Sequence, residues 1–284
     1  MSARVLEVAP DEYRDDPCAS PSLSHSIAHA LVTLSPRHAW LEHPRLGGAQ
    51  RRQSTAAMDE GSILHRLVLG KGAQFELVNA PDYRQGWARE LRDEIRAAGR
   101  VPILTREFEA LSRLADHIRR RCAQEGFELA GRAELAIEFT QDGERAPVLC
   151  RAMLDLVRAD HVLLDLKRVA NANPRELGRK IYDMGYDIQA AAYSAAYEQL
   201  EPEALGRSDF VFLFCEAEAP HEVVPVRLDG ALREIGARRW ARAVRAWERL
   251  LTDGSFPWPG YSDGALTVSA PAWALAEELG SDYL

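Results

Sequence analysis

Residues 132–169 constrain the fold more than any other part of the chain. They contain three apolar stretches of strand length, separated by short turn signals. In the first, AELAIEF, Ala133, Leu135, Ile137 and Phe139 fall on one side and Glu134, Ala136 and Glu138 on the other, the alternation of a half-buried strand. Asp142-Gly143 is a hairpin signal. Residues 147–157 and 161–169 read as the next two strands, joined by a turn near Ala159-Asp160-His161. Two more strand-like runs follow at 209–216 (DFVFLFCE) and 221–228 (HEVVPVRL). A sheet of this size needs helices to cover it.

Helical spacing supplies them. Residues 22–34 predict an amphipathic helix capped near Ser22 or Ser24, broken at Ser35-Pro36, with a short helix following through Trp40. Residues 44–54 (PRLGGAQRRQS) read as a loop, and 57–70, 84–99 and 105–125 as helices. A single long helix is predicted over 174–200, starting at Pro174, and another over 229–252. The Pro- and Trp-rich tail reads as irregular structure with a short helix. The expected fold is α/β: a central mixed β-sheet flanked by helices, in one domain spanning 1–284. Its helical N-terminal part covers 1–130, the sheet and long helix 131–228, and the last helix and tail 229–284.

The strands also carry the chemistry. Asp155 lies near the end of the second, and Asp165-Leu166-Lys167 sits inside the third. Alternation puts Asp165 and Lys167 on one face, and Arg151, Met153 and Asp155 on one face of the neighbouring strand, within reach of Glu134. Two acids and an ammonium at the ends of paired strands can hold a divalent metal and place a water beside it. The lysine itself is informative. Of 35 basic residues, only Lys71, Lys167 and Lys180 are lysines. A compact ammonium whose pKa can fall on burial has been placed between two apolar strand residues.

Other features bound the function. The net charge of −8 argues against a wholly basic nucleic-acid coat, though not against a local basic channel. Cys18, Cys122, Cys150 and Cys215 are far apart and form no CxxC pair, so neither a zinc nor an iron–sulfur site is expected. Cys150 and Cys215 lie in apolar runs and read as buried thiols. No apolar run approaches the roughly 18 residues needed to cross a membrane, and the N-terminus lacks signal-peptide features, so a cytoplasmic location is expected. In the helix over 57–70, Gly61 and His65 are four apart on a face beside the core stripe. In the helix over 174–200, Tyr182, Tyr186, Gln189, Tyr193 and Tyr197 form a stripe that reads either as packing or as a wall beside the site.

Taken in order, GxxxH on a helix, a glutamate strand, a strand ending in Asp, an Asp-x-Lys strand and a QxxxY helix resemble the PD-(D/E)xK nuclease superfamily in its RecB-like branch. The nearest resemblance is to the exodeoxyribonuclease VIII (RecE-type) catalytic domains of phages and prophages. SLSHSIAHALVTLSPRHAW resembles that group's start, DEGSILHRLVLG its histidine helix, and Cys150 to Tyr193 the rest. The resemblance implies that Asp155, Asp165, His65 and the Leu166 carbonyl hold Mg²⁺ or Mn²⁺. Lys167 then positions or activates the attacking water, and Glu134 assists through a metal-bound water. Gln189 and Tyr193 support the site and the scissile strand. Arg168 and Met153 depart from the pattern, standing where relatives often have threonine and arginine. Arg151, on the same face as Met153, is the expected substitute for that arginine in binding substrate. Ser35 stands where iron–sulfur relatives place a cysteine, consistent with no cluster.

By the same resemblance, the expected activity is a metal-dependent exonuclease on double-stranded DNA ends. It would resect 5′ to 3′ to leave a 3′ overhang for a single-strand annealing protein in recombination. A ring-shaped homo-oligomer and no membrane partner are expected. An endonuclease or Cas4-like activity is a variant of this class. The competing classes are a non-catalytic DNA-binding or assembly module and a hydrolase of small phosphoesters.

Overall fold

Alternation and turn signals over 132–169 become a long antiparallel hairpin followed by a third strand. The computed structural model describes residues 3–47, 55–262 and 264–278, so the expected loop at 44–54 lies largely outside the described residues. In chain order the elements are β1 (Arg4–Val5), α1 (Pro10–Arg14), α2 (His25–Thr33), α3 (Pro36–Glu42), α4 (Ala56–Leu69), β2 (Phe75–Val78), α5 (Gly86–Ala97), β3 (Val101–Leu104) and α6 (Thr105–Gln124). They continue with β4 (Arg132–Asp142), β5 (Pro147–Val157), β6 (Val162–Val169), α7 (Pro174–Asp183), α8 (Tyr186–Leu200), β7 (Asp209–Glu216), β8 (Val223–Arg227), α9 (Gly230–Asp253) and α10 (Ala272–Glu278).

The main sheet has six strands in the order β1-β4-β5-β6-β7-β8. All neighbours are antiparallel except β6 and β7, which pair in parallel along their length, with α7 and α8 in the crossover between them. β2 and β3 form a separate parallel pair. This is the expected mixed α/β architecture.

Each face of the sheet has its own core. On one face, Leu135, Ile137, Phe139, Leu154, Phe210, Phe212 and Phe214 pack with Ile27 of α2, Ile188 and Ala192 of α8, and Trp240 and Trp247 of α9. On the other, Leu156, Leu164, Leu166 and Leu213 pack against Leu64 and Val68 of α4 and Leu114 and Ile118 of α6. Each such buried side chain stabilises the fold by about 1.5–3 kcal/mol before entropy is counted.

Two predicted details are corrected. The single helix over 174–200 is two helices, broken at Met184-Gly185. Gly185 has φ 69°, and a Cβ there would stand 2.6 Å from the His29 ring, so the position favours glycine on both counts. The break leaves Tyr182 exposed on α7, away from the stripe that Tyr186, Gln189, Tyr193 and Tyr197 share on α8. In β4, Ala133 belongs with the α4–α6 core while Leu135, Ile137 and Phe139 face the other. The alternation slips because Glu134 has φ 50°, in the left-handed region.

The helices that border the site are pinned by polar contacts. Arg239 of α9 donates to both oxygens of buried Asp187 at 2.8 Å and to the Tyr182 carbonyl at 2.9 Å, tying α9 to the start of α8. Gly236 lets the two backbones approach, since a Cβ there would collide with the Asp187 carbonyl. Ser24 caps α2, accepting from Ile27 N.

Candidate active site

The site arises where two strands part. β5 and β6 pair only at Leu156↔Leu164 and Val157↔Leu163. Beyond those pairs β5 stays with β4 and β6 with β7, so a fork opens at the next residues, Asp155 and Asp165. A fork leaves backbone groups unpaired. Asp155 answers one of them, its Oδ2 accepting from the Leu166 amide at 2.9 Å.

Three of the four expected metal donors, His65, Asp155 and Leu166, stand in one chain of contacts across this fork, and Asp165 sits beside it. His65, on α4 from one face of the sheet, places Nε2 3.0 Å from the Leu166 carbonyl, which identifies Nε2 as the protonated nitrogen. Its Nδ1 is 3.5 Å from Asp155 Oδ2. Asp165 is only 2% exposed and lies between two partners: Gln189 Nε2 donates to its Oδ1, and Lys167 Nζ stands 2.5 Å from its Oδ2. The shared face predicted for Asp165 and Lys167 is therefore real. Gln189 reaches in from α8, on the opposite face from His65.

Charge is not balanced here. Burial pushes the Asp165 carboxyl up; Lys167 opposes this and the Asp155 charge adds to it, leaving a net upward shift. Burial alone would lower the Lys167 ammonium, but Asp165 and Asp155 outweigh it and its pKa rises. The fall anticipated for a buried lysine is thus reversed, and Lys167 is a charged donor at neutral pH. Glu134 is also shifted up, first by burial, with Lys71 opposing and Asp155 adding. It lies on β4 between the pairs Ala133↔Leu156 and Leu135↔Leu154, which puts it across from Asp155. Two ammoniums, Lys167 at Asp165 and Lys71 toward Glu134, thus face a group of three carboxylates.

A divalent cation would relieve that deficit. Among the described residues, no three His, Cys, Asp or Glu side chains already converge on a common point. His65, Asp155 and the Leu166 backbone instead touch one another, Asp165 is held by Gln189 and Lys167, and Gln189 Oε1 is buried without a hydrogen bond among the described residues. Carboxylate and carbonyl oxygens with a single imidazole are the donor set of Mg²⁺ or Mn²⁺, and the residues fit such an ion.

The remaining expected residues fall outside this chain of contacts. Tyr193 is buried on α8, its hydroxyl 3.0 Å from His25 Nδ1. Arg151, expected to touch substrate in place of Met153, is 3% exposed and turned elsewhere. Residues 22–24 run beside β5, through Leu23 N to the Leu149 carbonyl at 2.9 Å and Arg151 N to the Leu23 carbonyl at 3.0 Å. The Arg151 Nη1 donates to the Ser22 carbonyl and hydroxyl, both at 2.7 Å, and is 3.3 Å from Asp16. Asp16 also accepts from the Ser22 amide and hydroxyl and approaches His43. The N-terminal segment captures the guanidinium, and the structure does not bring Arg151 to the acids. Arg168, the other departure, pairs with Glu60 of α4 at 2.8 Å.

Two residues that sequence reasoning missed border the site, His25 and Glu60, while Tyr186 of the predicted stripe stands against Lys167. His25 was signalled by nothing but its place in the capped first helix. A cavity of about 260 Å³ lies near the β5–β6 turn, lined by Arg132, Arg158, His161, Tyr197 and Glu201 among others, away from Asp155, Asp165 and Glu134.

Residues 33–265 match the model of a family described as a PDDEXK-like domain of unknown function (DUF3799). The chain belongs to this family. Among solved structures, this PDDEXK-like chain is similar to a protein from Eubacterium rectale described as a "putative exonuclease". The two align over 97% of this chain and 99% of that one, at TM-score 0.62 and 13% identity, a likeness of fold. A protein named SSO0001 aligns over 72% of this chain and 89% of its own at TM-score 0.30 and 10% identity, too weak to add to the fold. No curated protein matches the sequence. The family and the strand order together give the domain a PDDEXK-like nuclease fold. No helix among the described residues is long and apolar enough to cross a membrane.

Proposed function

We propose that this PDDEXK-like domain is a metal-dependent DNA exonuclease of the RecE type, hydrolysing phosphodiester bonds at linear duplex ends. It resects 5′ to 3′ and leaves a 3′ overhang for recombination. The observation that carries the nuclease reading is the fork itself, with Asp155 and Asp165 at its mouth and Lys167 against Asp165. The exonuclease reading is supported by the sequence resemblance and by the description of the Eubacterium rectale protein.

The residues divide the work by chemistry. Asp155, Asp165, the Leu166 carbonyl and His65 would hold Mg²⁺ or Mn²⁺, and the bound ion would lower the pKa of a water and stabilise charge on the phosphate oxygens. Lys167, kept charged by its two acids, donates to the nucleophile or to a phosphate oxygen rather than removing a proton. Gln189 holds Asp165 in its rotamer, and Glu134 orients water through its hydrogen bonds. The expected partners are double-stranded DNA ends, a single-strand annealing protein and further copies of the chain in a ring.

The test is digestion of linear and closed-circular duplexes, labelled differently at their 5′ and 3′ ends, with Mg²⁺, Mn²⁺ or EDTA. The proposal expects metal-dependent loss of the linear form alone, with the 5′ label released first. Cutting of the circle would replace it with an endonuclease. No cleavage with any metal would leave a DNA-binding module.

A further inference from the structure

Lys167 is held on two sides, and only one of them is charged. Its Nζ stands 2.5 Å from Asp165 and 4.8 Å from the ring centroid of Tyr186, the first residue of α8. The Phe212 ring follows at 6.0 Å. These rings form a continuous wall, with Tyr186 to Phe212 at 5.6 Å and Tyr186 to Phe214 at 6.1 Å. The wall is anchored in the sheet, because Phe212 and Phe214 are the β7 partners of Asp165 and Lys167.

We propose that Tyr186 is a positioning residue for Lys167, its ring face holding the ammonium against Asp165 and at the fork. This rests on the reading of Lys167 as the nuclease lysine. The physical need is clear. A lysine side chain is rich in rotamers and prefers to be hydrated, so fixing it needs a partner. This one is 19% exposed, so an outward rotamer is open to it. An aromatic face attracts a cation through its quadrupole, most strongly where water is sparse. Gly185 and the Arg239–Asp187 pair fix the start of α8, and so fix the ring.

A purely structural Tyr186 would fill the same space against Phe212 and Phe214. Ring fluorination separates the two roles, since it weakens the quadrupole with little change of shape. Tyr186 is replaced by phenylalanine and then by phenylalanines bearing one, two and three ring fluorines. Single-turnover cleavage of linear duplex DNA with Mg²⁺ is measured for each. In parallel, protein labelled at lysine gives NMR signals for Lys71, Lys167 and Lys180, assigned with Lys→Arg variants.

The Lys167 ε-methylene is expected upfield of the other two through the ring current, and to lose that shift in Tyr186→Leu. Cleavage should fall stepwise with fluorine number, by about tenfold across the series, in the single-turnover rate constant at saturating enzyme rather than in the half-saturating concentration. A Lys167 signal unchanged in Tyr186→Leu, or a flat rate across the fluorine series, overturns the proposal. Absence of cleavage by wild-type protein, with the ring-current shift present and lost in Tyr186→Leu, sinks the nuclease reading and leaves the positioning contact standing.

Discussion

Gly61→Ala should make the protein more stable and a poorer nuclease. Gly61 lies inside α4, one turn before His65, so the two share a face. A glycine inside a helix costs about 0.5–1 kcal/mol relative to alanine. Nothing among the described residues explains that cost, because a Cβ at Gly61 would meet none of their atoms within 4 Å. The added methyl therefore gives its full helix gain without a clash, and the unfolding midpoint should rise by about 1–2 °C in a domain of this size. The space it takes lies beside the fork, where Glu60 already contacts Arg168. If the DNA strand passes there, displacing it should lower kcat/KM on linear duplex by about 10- to 100-fold. Thermal unfolding and steady-state digestion, run on the same preparation, read both signs. Wild-type kcat/KM in a stabilised variant would refute the claim that the glycine makes room for substrate. A lower midpoint would refute the claim that the space is empty.

Four further outcomes follow from the same geometry. Burial, with Lys167, His29 and Arg151 nearby, holds the His25 imidazole down at about 3. The neutral form is thus favoured in the fold, and up to about 5 kcal/mol of stability, present above pH 6.5, should be lost as pH falls toward 3. Asp16 adds a lower window: burial would raise its carboxyl, but His43, Arg151 and Ser22 outweigh burial and bring it to about 2. Its contribution of about 2 kcal/mol, present above pH 4, should fade toward pH 2; denaturant titrations of His25→Gln and Asp16→Asn against pH would show whether each window flattens. Glu134→Gly relieves a left-handed backbone and should stabilise by about 1 kcal/mol while cutting cleavage by about 10- to 100-fold, and loss of stability would speak against strain at that residue. Gln189→Leu removes the donor to Asp165 and should weaken Mn²⁺ binding, measured calorimetrically, by about 10- to 100-fold; unchanged affinity would show that Asp165 needs no such support.

What the sequence disclosed, and what it hid, follows from the range of each interaction. Strand alternation and turn signals are local, so β4, β5 and β6 were legible, and with them the shared face of Asp165 and Lys167. Helical spacing was equally local and yielded α4, α6 and α9 within a residue or two. The break at Gly185 was hidden because apolar spacing of 3.6 continues across it; what ends α7 is a glycine conformation and a contact with His29, far away in sequence. The slip at Glu134 was hidden for a similar reason, since alternation predicts side-chain faces only while φ stays negative. Arg151 was placed on the correct strand face, but its guanidinium is taken by Ser22 and Asp16, more than a hundred residues upstream. The fork between β5 and β6 is a matter of pairing, and no single-strand pattern encodes where two strands part.

The central claim is that the fork of Asp155, Asp165 and Lys167 hydrolyses phosphodiesters with the lysine as a charged donor. Its most direct test is single-turnover cleavage of linear duplex DNA with Mg²⁺ by wild-type and Lys167→Ala protein, with Mn²⁺ affinity and thermal unfolding measured alongside. The predicted result is an intact, metal-binding variant whose cleavage falls by about 10²- to 10⁴-fold. Cleavage by Lys167→Ala at the wild-type rate would contradict it.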